Sequence, residues 1–475
     1  MEHPPASRIA ISPPAVVHLV GVCGTAMGAL AGLLKASGFQ VTGSDAHAYP
    51  PMSLELARMG IAVKEGFKAS NLDHGPDLVV VGNACRREHP EAAAARERGL
   101  AYASLPATIH DLFLAGRRSL VVAGTHGKTT TTALLAYLLF AAGRDPSVLV
   151  GGVATDFGSG HRLGSGPDFV IEGDEYDSAY FEKRPKFLSY APSAAALTSV
   201  EHDHVDIYPT EEAYRAAFAG LVGLVDPGPL AVHAGDAAAV ALSATARAEV
   251  IAYGVTGDVH VAPPRWIAAP AGRGRFELRV DGRAAGIFST ALGGRHNLRN
   301  TLAALILAHC AAGVSLDELA RALPGFKGVR RRQEVIGRPR GIAVYDDFAH
   351  HPTAVRVTLE ALAELHEPGR LAVAFEPRSA TACRRMHQAA YTGAFDRAGL
   401  AIIAPVGRDL PEAERLDTAL LAADLRARGV AATAAGSIDE VLEALVAWAR
   451  PGDGVALLSN GGFGGLHGRL LEALA

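Results

Sequence analysis

Ser119-Leu120-Val121-Val122-Ala123-Gly124-Thr125-His126-Gly127-Lys128-Thr129-Thr130 runs from an apolar strand pattern through two glycines into a helical pattern over 130–140. Strand, glycine turn and helix, in that order, form the context of a phosphate loop. Glycines let the backbone bend tightly enough for several N–H groups to face one anion, and the helix start adds the positive end of its dipole. Lys128 supplies a mobile positive charge for the β- and γ-phosphates, and the Thr129 hydroxyl is a candidate Mg²⁺ ligand. The usual loop has a glycine five residues before Gly127. Val122 stands there, so this is a variant with Gly124 as its first glycine. The expected contacts with ATP phosphate are Gly124, Thr125, His126, Gly127, Lys128, Thr129 and Thr130.

Short apolar strands followed by helical patterns recur on both sides of this loop, which argues for α/β layers with parallel sheets. Strands are expected at 16–20, 40–42 and 77–81 before the loop, and at 342–345, 371–375, 400–404 and 455–458 toward the end. The reading is an α/β chain of three domains: a Rossmann-like domain over 1–117, a central P-loop ATPase-like domain over 118–327, and a second Rossmann-like domain over 328–475. A length of 475 residues suits that number. Pro324-Gly325-Phe326-Lys327-Gly328 is the expected hinge, because domain boundaries fall in such segments.

Composition narrows the partners. Apolar residues make up 49% and charged residues 20%, with a net charge of −4, so nothing announces nucleic acid or an anionic membrane. The longest apolar run, 302–314, is too short to span a bilayer. The proline-bearing first fifteen residues lack the apolar core of a secretory signal and read as a loose tail. Cys23, Cys85, Cys310 and Cys383 are far apart and lack CxxC spacing, so neither a disulfide framework nor a cysteine zinc site is expected. The expectation is a cytoplasmic protein.

Two acidic segments follow strands. Phe169 to Asp177 ends in Glu172, Asp174, Glu175 and Asp177, a crowding of like charges that a cation would relieve. Glu201-His202-Asp203-His204-Val205-Asp206 follows a strand over 195–200 and reads as a second cation site. Near the start, Gly21-Val22-Cys23-Gly24-Thr25-Ala26-Met27-Gly28 opens a helix after a strand and suits a diphosphate. Asp45, at the end of the next strand, is placed to bind a ribose or base.

These motifs together resemble the Mur ligase family, which joins amino acids or peptides to UDP-N-acetylmuramic acid. The resemblance rests on GTHGKTT, the DEYD acids, EHDHVD, Gly294-Arg295-His296-Asn297-Leu298-Arg299-Asn300, and Asp346-Asp347-Phe348-Ala349-His350-His351-Pro352. It covers all but the first dozen or so residues. Within the family, the branch that adds a tripeptide for cell-wall recycling is the nearer match. That choice rests on Gly43-Ser44-Asp45 with Tyr49-Pro50-Pro51-Met52, on Phe348-Ala349, on Glu376-Pro377-Arg378-Ser379, and on Ser459-Asn460-Gly461-Gly462-Phe463-Gly464-Gly465. The L-alanine-adding branch is the alternative. Ser199 stands where the family commonly has Asn, and Ala380-Thr381 where Asn-Thr is common. No lysine occurs in 205–225, which argues against the carbamylated-lysine branch.

The resemblance implies an acyl-phosphate mechanism that uses ATP and Mg²⁺, in a monomer or weak dimer. Lys128, Glu175 and His204 would be catalytic, and Thr129, Glu175 and His204 would hold metal, with Asp174 as an alternative. His296, Asn297, Asn300, Arg330 and Asp346 would contact the nucleotide. Gly24, Thr25, Ala26, Met27, Ser44 and Asp45 would bind UDP-N-acetylmuramate. His350, Arg378, Ser459 and Asn460 would face the remaining substrate. His350 and His351 are both candidates for the base that deprotonates the amine.

Overall fold

A computed structural model describes residues 5–48 and 52–475. Residues 1–4 of the expected tail and Tyr49-Pro50-Pro51 of the quoted motif lie outside the described residues. The chain divides into two compact units. The first comprises 1–201, 212–291 and 299–327; the second comprises 202–211, 292–298 and 328–475.

The first unit holds two large sheets. One is five-stranded and parallel, in the order Val63–Glu65, Gln40–Asp45, Val16–Val20, Leu78–Val81, Tyr102–Ser104. Its central strands are Val- and Leu-rich and buried, as a parallel sheet covered on both faces requires. The strand order reverses beside Val16–Val20, and the turn at Gly21–Gly24 leaves that strand's carboxyl end, where open α/β sheets bind ligands.

The other sheet has ten strands. Arg118–Ala123 lies in its middle, paired in parallel with Ala194–Leu197 on one side and Asp168–Gly173 on the other. This register delivers three distant segments to one edge: the phosphate loop, residues 198–201, and the acids from Glu172 onward. The two sheets are packed through helix Thr25–Ala36, where a Cβ on Gly32 would stand 2.0 Å from Nε2 of His161. Arg96 Nη1 also donates to the Tyr180 hydroxyl at 2.6 Å.

The second unit is built on a six-stranded sheet in the order Glu334–Gly337, Ala343–Asp347, Gly454–Leu458, Leu371–Phe375, Leu400–Ile403, Ala431–Ala434. The first strand is antiparallel and the others are parallel. Alternate residues feed two cores. Leu371, Val373 and Phe375 face one, while Ala372 and Ala374 face the other, as a two-residue period dictates.

Two boundaries differ from the sequence pattern for a physical reason. The phosphate-loop helix starts at Lys128, two residues early, because Gly127 takes a left-handed conformation (φ 81°) as its N-cap. The strand expected to reach residue 200 ends at Leu197, because Thr198, Ser199 and Glu201 turn hydrogen-bonding groups to the phosphate loop instead.

Phe375 is fully buried against Tyr391 and Phe395, with ring centroids at 5.1 and 5.7 Å. Phe375→Ala is expected to cost the second unit about 3–5 kcal/mol of unfolding free energy in a denaturant titration.

Candidate active site

The phosphate loop is enclosed by its neighbours. Thr125 N–H donates to Ser199 O at 2.9 Å, and His126 N–H donates to Ser199 Oγ at 3.0 Å. Thr198 Oγ1 donates to His126 O at 2.6 Å. The Thr125 hydroxyl donates to Glu201 O at 2.8 Å and lies 2.9 Å from the Tyr214 hydroxyl. His126 Nε2 is 2.8 Å from the Glu201 carboxylate. The unusual Ser199 therefore serves the loop directly.

Both loop glycines are obligatory on two counts. Gly124 has φ 131° and Gly127 φ 81°, values that L side chains rarely adopt. There is also no space. A Cβ on Gly124 would stand 2.2 Å from Thr198 Oγ1 and 2.8 Å from the Ser199 backbone. One on Gly127 would stand 2.3 Å from Asn300 Oδ1. Asn300, expected at the nucleotide, thus abuts the loop.

Lys128 reaches back under the turn. Its Nζ donates to Gly124 O at 2.6 Å, to Thr125 O at 3.3 Å, and to Glu175, whose second oxygen is 2.9 Å away. The Glu175 side chain is 1% exposed. Burial opposes the lysine's charge, but the Glu175 and Glu172 carboxylates outweigh it and hold the ammonium above its ordinary pKa. Thr129 Oγ1 donates to Glu172 at 2.9 Å, and the other Glu172 oxygen accepts Gly151 N–H at 2.7 Å. Glu172, one of the clustered acids at the end of Asp168–Gly173, is thus a direct partner of the loop. Thr129, Glu172 and Glu175 gather hard oxygen donors, the type Mg²⁺ takes. Asp174 is turned elsewhere. It binds Lys186 Nζ at 2.6 Å, and that ammonium overcomes burial to keep the carboxyl below its ordinary pKa.

At the Gly21–Gly24 turn, Gly21 and Val22 N–H donate to Ser44 O at 2.8 and 3.0 Å, and Cys23 N–H to Asp45 Oδ2 at 2.8 Å. The expected ligands Thr25, Ala26 and Met27 form the first turn of the helix that follows Gly24. The Ser44 side chain is committed inward. Its hydroxyl donates at 2.5 Å to Glu91, which is fully buried and also accepts from Asn71 at 2.6 Å. Ser44 supports the turn with its carbonyl, and its hydroxyl proton is given to Glu91. Glu91 was not foreseen; it lies in a helix with no motif around it.

In the second unit, His204 adopts φ 54° and donates its N–H to Asp203 Oδ1 at 2.7 Å. Asp203 also accepts from Thr381 Oγ1 at 2.7 Å. Burial would raise the Asp203 pKa, but His204 and His350 overcome it and hold the carboxyl well below the usual range. His350 is half-buried, its Nδ1 is 3.0 Å from Phe348 O, and burial pushes its imidazole below its ordinary pKa. His351 instead caps helix Pro352–Ala363, accepting Thr353 N–H at 3.3 Å.

Asp346 is paired with Arg331 at 3.3 Å and His467 at 3.1 Å. Asp347 accepts Gln333 and Ala349 N–H groups at 2.7 and 2.8 Å, and burial raises its pKa. Arg330 is exposed, whereas Arg331 and Arg332 both lie over the Phe348 ring, at 5.3 and 5.1 Å. Asn297 donates to Gly293 O at 2.8 Å, and His296 meets Gln333 at 3.3 Å. Ser459, like Ser44, is fully buried and donates its hydroxyl to a glutamate, Glu376. It holds the loop, its Oγ also accepting Gly461 N–H. Arg378 is exposed, and its guanidinium has no hydrogen-bond or ion-pair partner among the described residues. Asn460, next to Ser459 in the glycine-rich loop, is partly buried.

The chain matches three family profiles in succession. These are described as Mur ligase family, catalytic domain, over 16–117; Mur ligase middle domain, over 122–308; and Mur ligase, glutamate ligase domain, over 331–461. It is 37% identical to the UDP-N-acetylmuramate–L-alanyl-γ-D-glutamyl-meso-2,6-diaminoheptandioate ligase of Escherichia coli K12, over 97% of this chain and 98% of that one. It is 39% identical to the UDP-N-acetylmuramate–L-alanine ligase of Kineococcus radiotolerans, over 80% of this chain and 79% of that one. The crystal structure of a murein peptide ligase from Psychrobacter arcticus 273-4 superposes with a TM-score of 0.72 at 33% identity, covering 97% of this chain and 98% of that one.

Gly124→Ala is expected to weaken ATP binding at least about tenfold, since Thr198 and the Ser199 backbone leave the added methyl no room. Calorimetric titration with a non-hydrolysable ATP analogue measures this, with circular dichroism as the check on folding.

Proposed function

The chain belongs to the Mur ligase family, and we propose that it joins L-alanyl-γ-D-glutamyl-meso-diaminopimelate to UDP-N-acetylmuramate at the expense of ATP, in cell-wall recycling. The observation that carries this reading is the match, end to end, to a ligase named for that reaction. An L-alanine-adding ligase that matches over a comparable span, 96% of this chain, does so at the lower identity of 34% and supports the alternative more weakly.

The chemistry follows from the loop. A muramate carboxylate attacks the γ-phosphorus of ATP, the bond to the bridging oxygen breaks, and ADP leaves. The peptide amine then attacks the acyl-phosphate carbonyl, loses a proton, and expels inorganic phosphate. Phosphoryl transfer needs positioning and charge neutralisation more than covalent help. Lys128 supplies that charge. Its two carbonyl partners, Gly124 O and Thr125 O, are neutral and give way to phosphate oxygens, while Glu175 keeps the ammonium charged and aimed. Mg²⁺ at Thr129 and Glu175, with a second ion at His204, would supply further charge neutralisation. His350, kept neutral by burial, is able to accept the amine proton.

The division of labour is part of the proposal. Residues 1–117 bind UDP-N-acetylmuramate through the Gly24–Met27 helix start and Asp45. Residues 118–327 bind ATP through the loop and Asn300. Residues 328–475 bind the peptide through Arg378 and Asn460, and the nucleotide through Asp346 and Arg330. His296 and Asn297 also serve the nucleotide. We place it in the cytoplasm as a monomer or weak dimer; no helix among the described residues is long and apolar enough to cross a membrane.

Incubation with ATP, Mg²⁺, UDP-N-acetylmuramate and either tripeptide or L-alanine, followed by mass spectrometry, tests the reading. The tripeptide adduct is expected; an adduct with L-alanine alone would assign the chain to the other branch. Lys128→Ala should lower kcat about a hundredfold or more, and chelation of divalent cations should stop turnover reversibly.

A further inference from the structure

Arg378 lies three residues past the end of strand Leu371–Phe375, against two glycines that come from elsewhere in the second unit. A Cβ built on Gly461 would stand 2.1 Å from Nη1, 2.5 Å from Cδ and 2.6 Å from Cζ of Arg378. A Cβ on Gly407 would stand 2.9 Å from Cγ, 3.1 Å from Cβ and 3.4 Å from Cα of the same residue. Neither glycine has a positive φ. What the two positions require is room, not an unusual backbone.

The walls of this slot are themselves fastened. Gly407 N–H donates to Pro377 O at 2.8 Å. Gly461 N–H donates to Ser459 Oγ at 2.8 Å, and Gly461 O accepts from Arg331 Nη2 at 2.7 Å. Arg331 Nη2 also holds Ser459 O at 2.6 Å. Arg408 Nε donates to the carbonyl of Arg378 itself at 2.9 Å. One glycine thus bounds the base of the arginine stem and the other bounds its far end.

An exposed arginine ordinarily samples many rotamers, and ordering it on binding weakens the complex. Glycine walls remove much of that freedom beforehand, while the guanidinium stays exposed and unpaired among the described residues. A planar fork held in one orientation is suited to a carboxylate, which it meets through two parallel hydrogen bonds. We propose that Gly407 and Gly461 are specificity-determining positions, forming a slot that pre-orients Arg378 toward a carboxylate of the incoming peptide. This rests on the tripeptide reading above.

Gly462 provides an internal control. It has φ −86°, and a Cβ there would meet nothing within 4 Å. The full-length enzyme is assayed by phosphate release with ATP and UDP-N-acetylmuramate saturating, while the tripeptide is varied. Gly461→Ala is expected to raise the KM for tripeptide about tenfold, with the KM for ATP and the thermal midpoint unchanged. Gly462→Ala should behave as wild type. Arg378→Ala should raise the tripeptide KM at least as much, and adding Gly461→Ala to it should do nothing further, because the methyl acts only through the arginine.

The outcomes separate the two claims. Wild-type turnover of L-alanine but not of tripeptide overturns the substrate reading, and the KM for L-alanine in the same variants then decides the slot. An unchanged KM in Arg378→Ala overturns the arginine's contact with the amine substrate. A raised KM in Arg378→Ala with a wild-type KM in Gly461→Ala overturns the slot alone. So does a Gly461→Ala effect that adds to that of Arg378→Ala, or one that comes with a lowered thermal midpoint.

Discussion

Lys128 and Glu175 meet at 2.9 Å beneath a turn whose own carbonyls, those of Gly124 and Thr125, supply the lysine's other partners. Burying such a pair is costly in desolvation, and a buried ion pair is weak evidence of stability. Its cost makes sense as preparation. The carboxylate fixes where the ammonium sits and keeps it charged, and the neutral carbonyls are partners that an anion can replace. The geometry around the pair depends on the same economy of space. Gly124 and Gly127 adopt backbone angles that side chains avoid, and Thr198 and Asn300 close the room a side chain would need. Everything else in the first unit's larger sheet can be described as what brings those walls into position.

Two serines show a second shared device. Ser44 and Ser459 each sit just past or within the end of a parallel strand, and each gives its hydroxyl to a buried glutamate, Glu91 or Glu376. In both cases the backbone beside the serine is what the turn uses. Ser44 O receives two N–H groups of the Gly21–Gly24 turn, and Ser459 O receives Arg331. A buried carboxylate is tolerated only when hydrogen bonds saturate it. The serines help to meet that condition, and in return their own chain segments are held still.

The fold was largely legible because its signals are local. Runs such as Leu120 to Ala123 and Leu371 to Phe375 carry the apolar character of buried parallel strands, and the glycine loop announces itself within seven residues. The site was legible where a motif names its residues, as with Lys128 and Glu175, which lie together at the loop. Residues whose role comes from tertiary contact were not legible. Glu91 reaches Ser44, a strand residue, from a helix, and Arg331, not Arg330, engages Asp346. Ser44 and Ser459 have the right chemistry for ligands, and only the structure shows that their hydroxyls donate to buried glutamates. A side chain's direction depends on neighbours that are distant in sequence, which spacing does not encode.

The enclosure of the phosphate loop also bears on the order in which the protein can be made. The loop lies at 124–130, but one wall comes from 198–201 and another from Asn300. A chain growing from its amino end will have presented the glycine turn long before those walls exist. Contacts between segments so far apart form late, because a long loop must close before they are rewarded. Nascent chains tend to fold domain by domain as they emerge, so the five-stranded sheet before residue 118 can assemble while the turn is still open. Competence to grip a nucleotide then arrives as a late event in biogenesis, after the helix bearing Asn300 has docked, and marks the point at which the larger sheet of the first unit has closed.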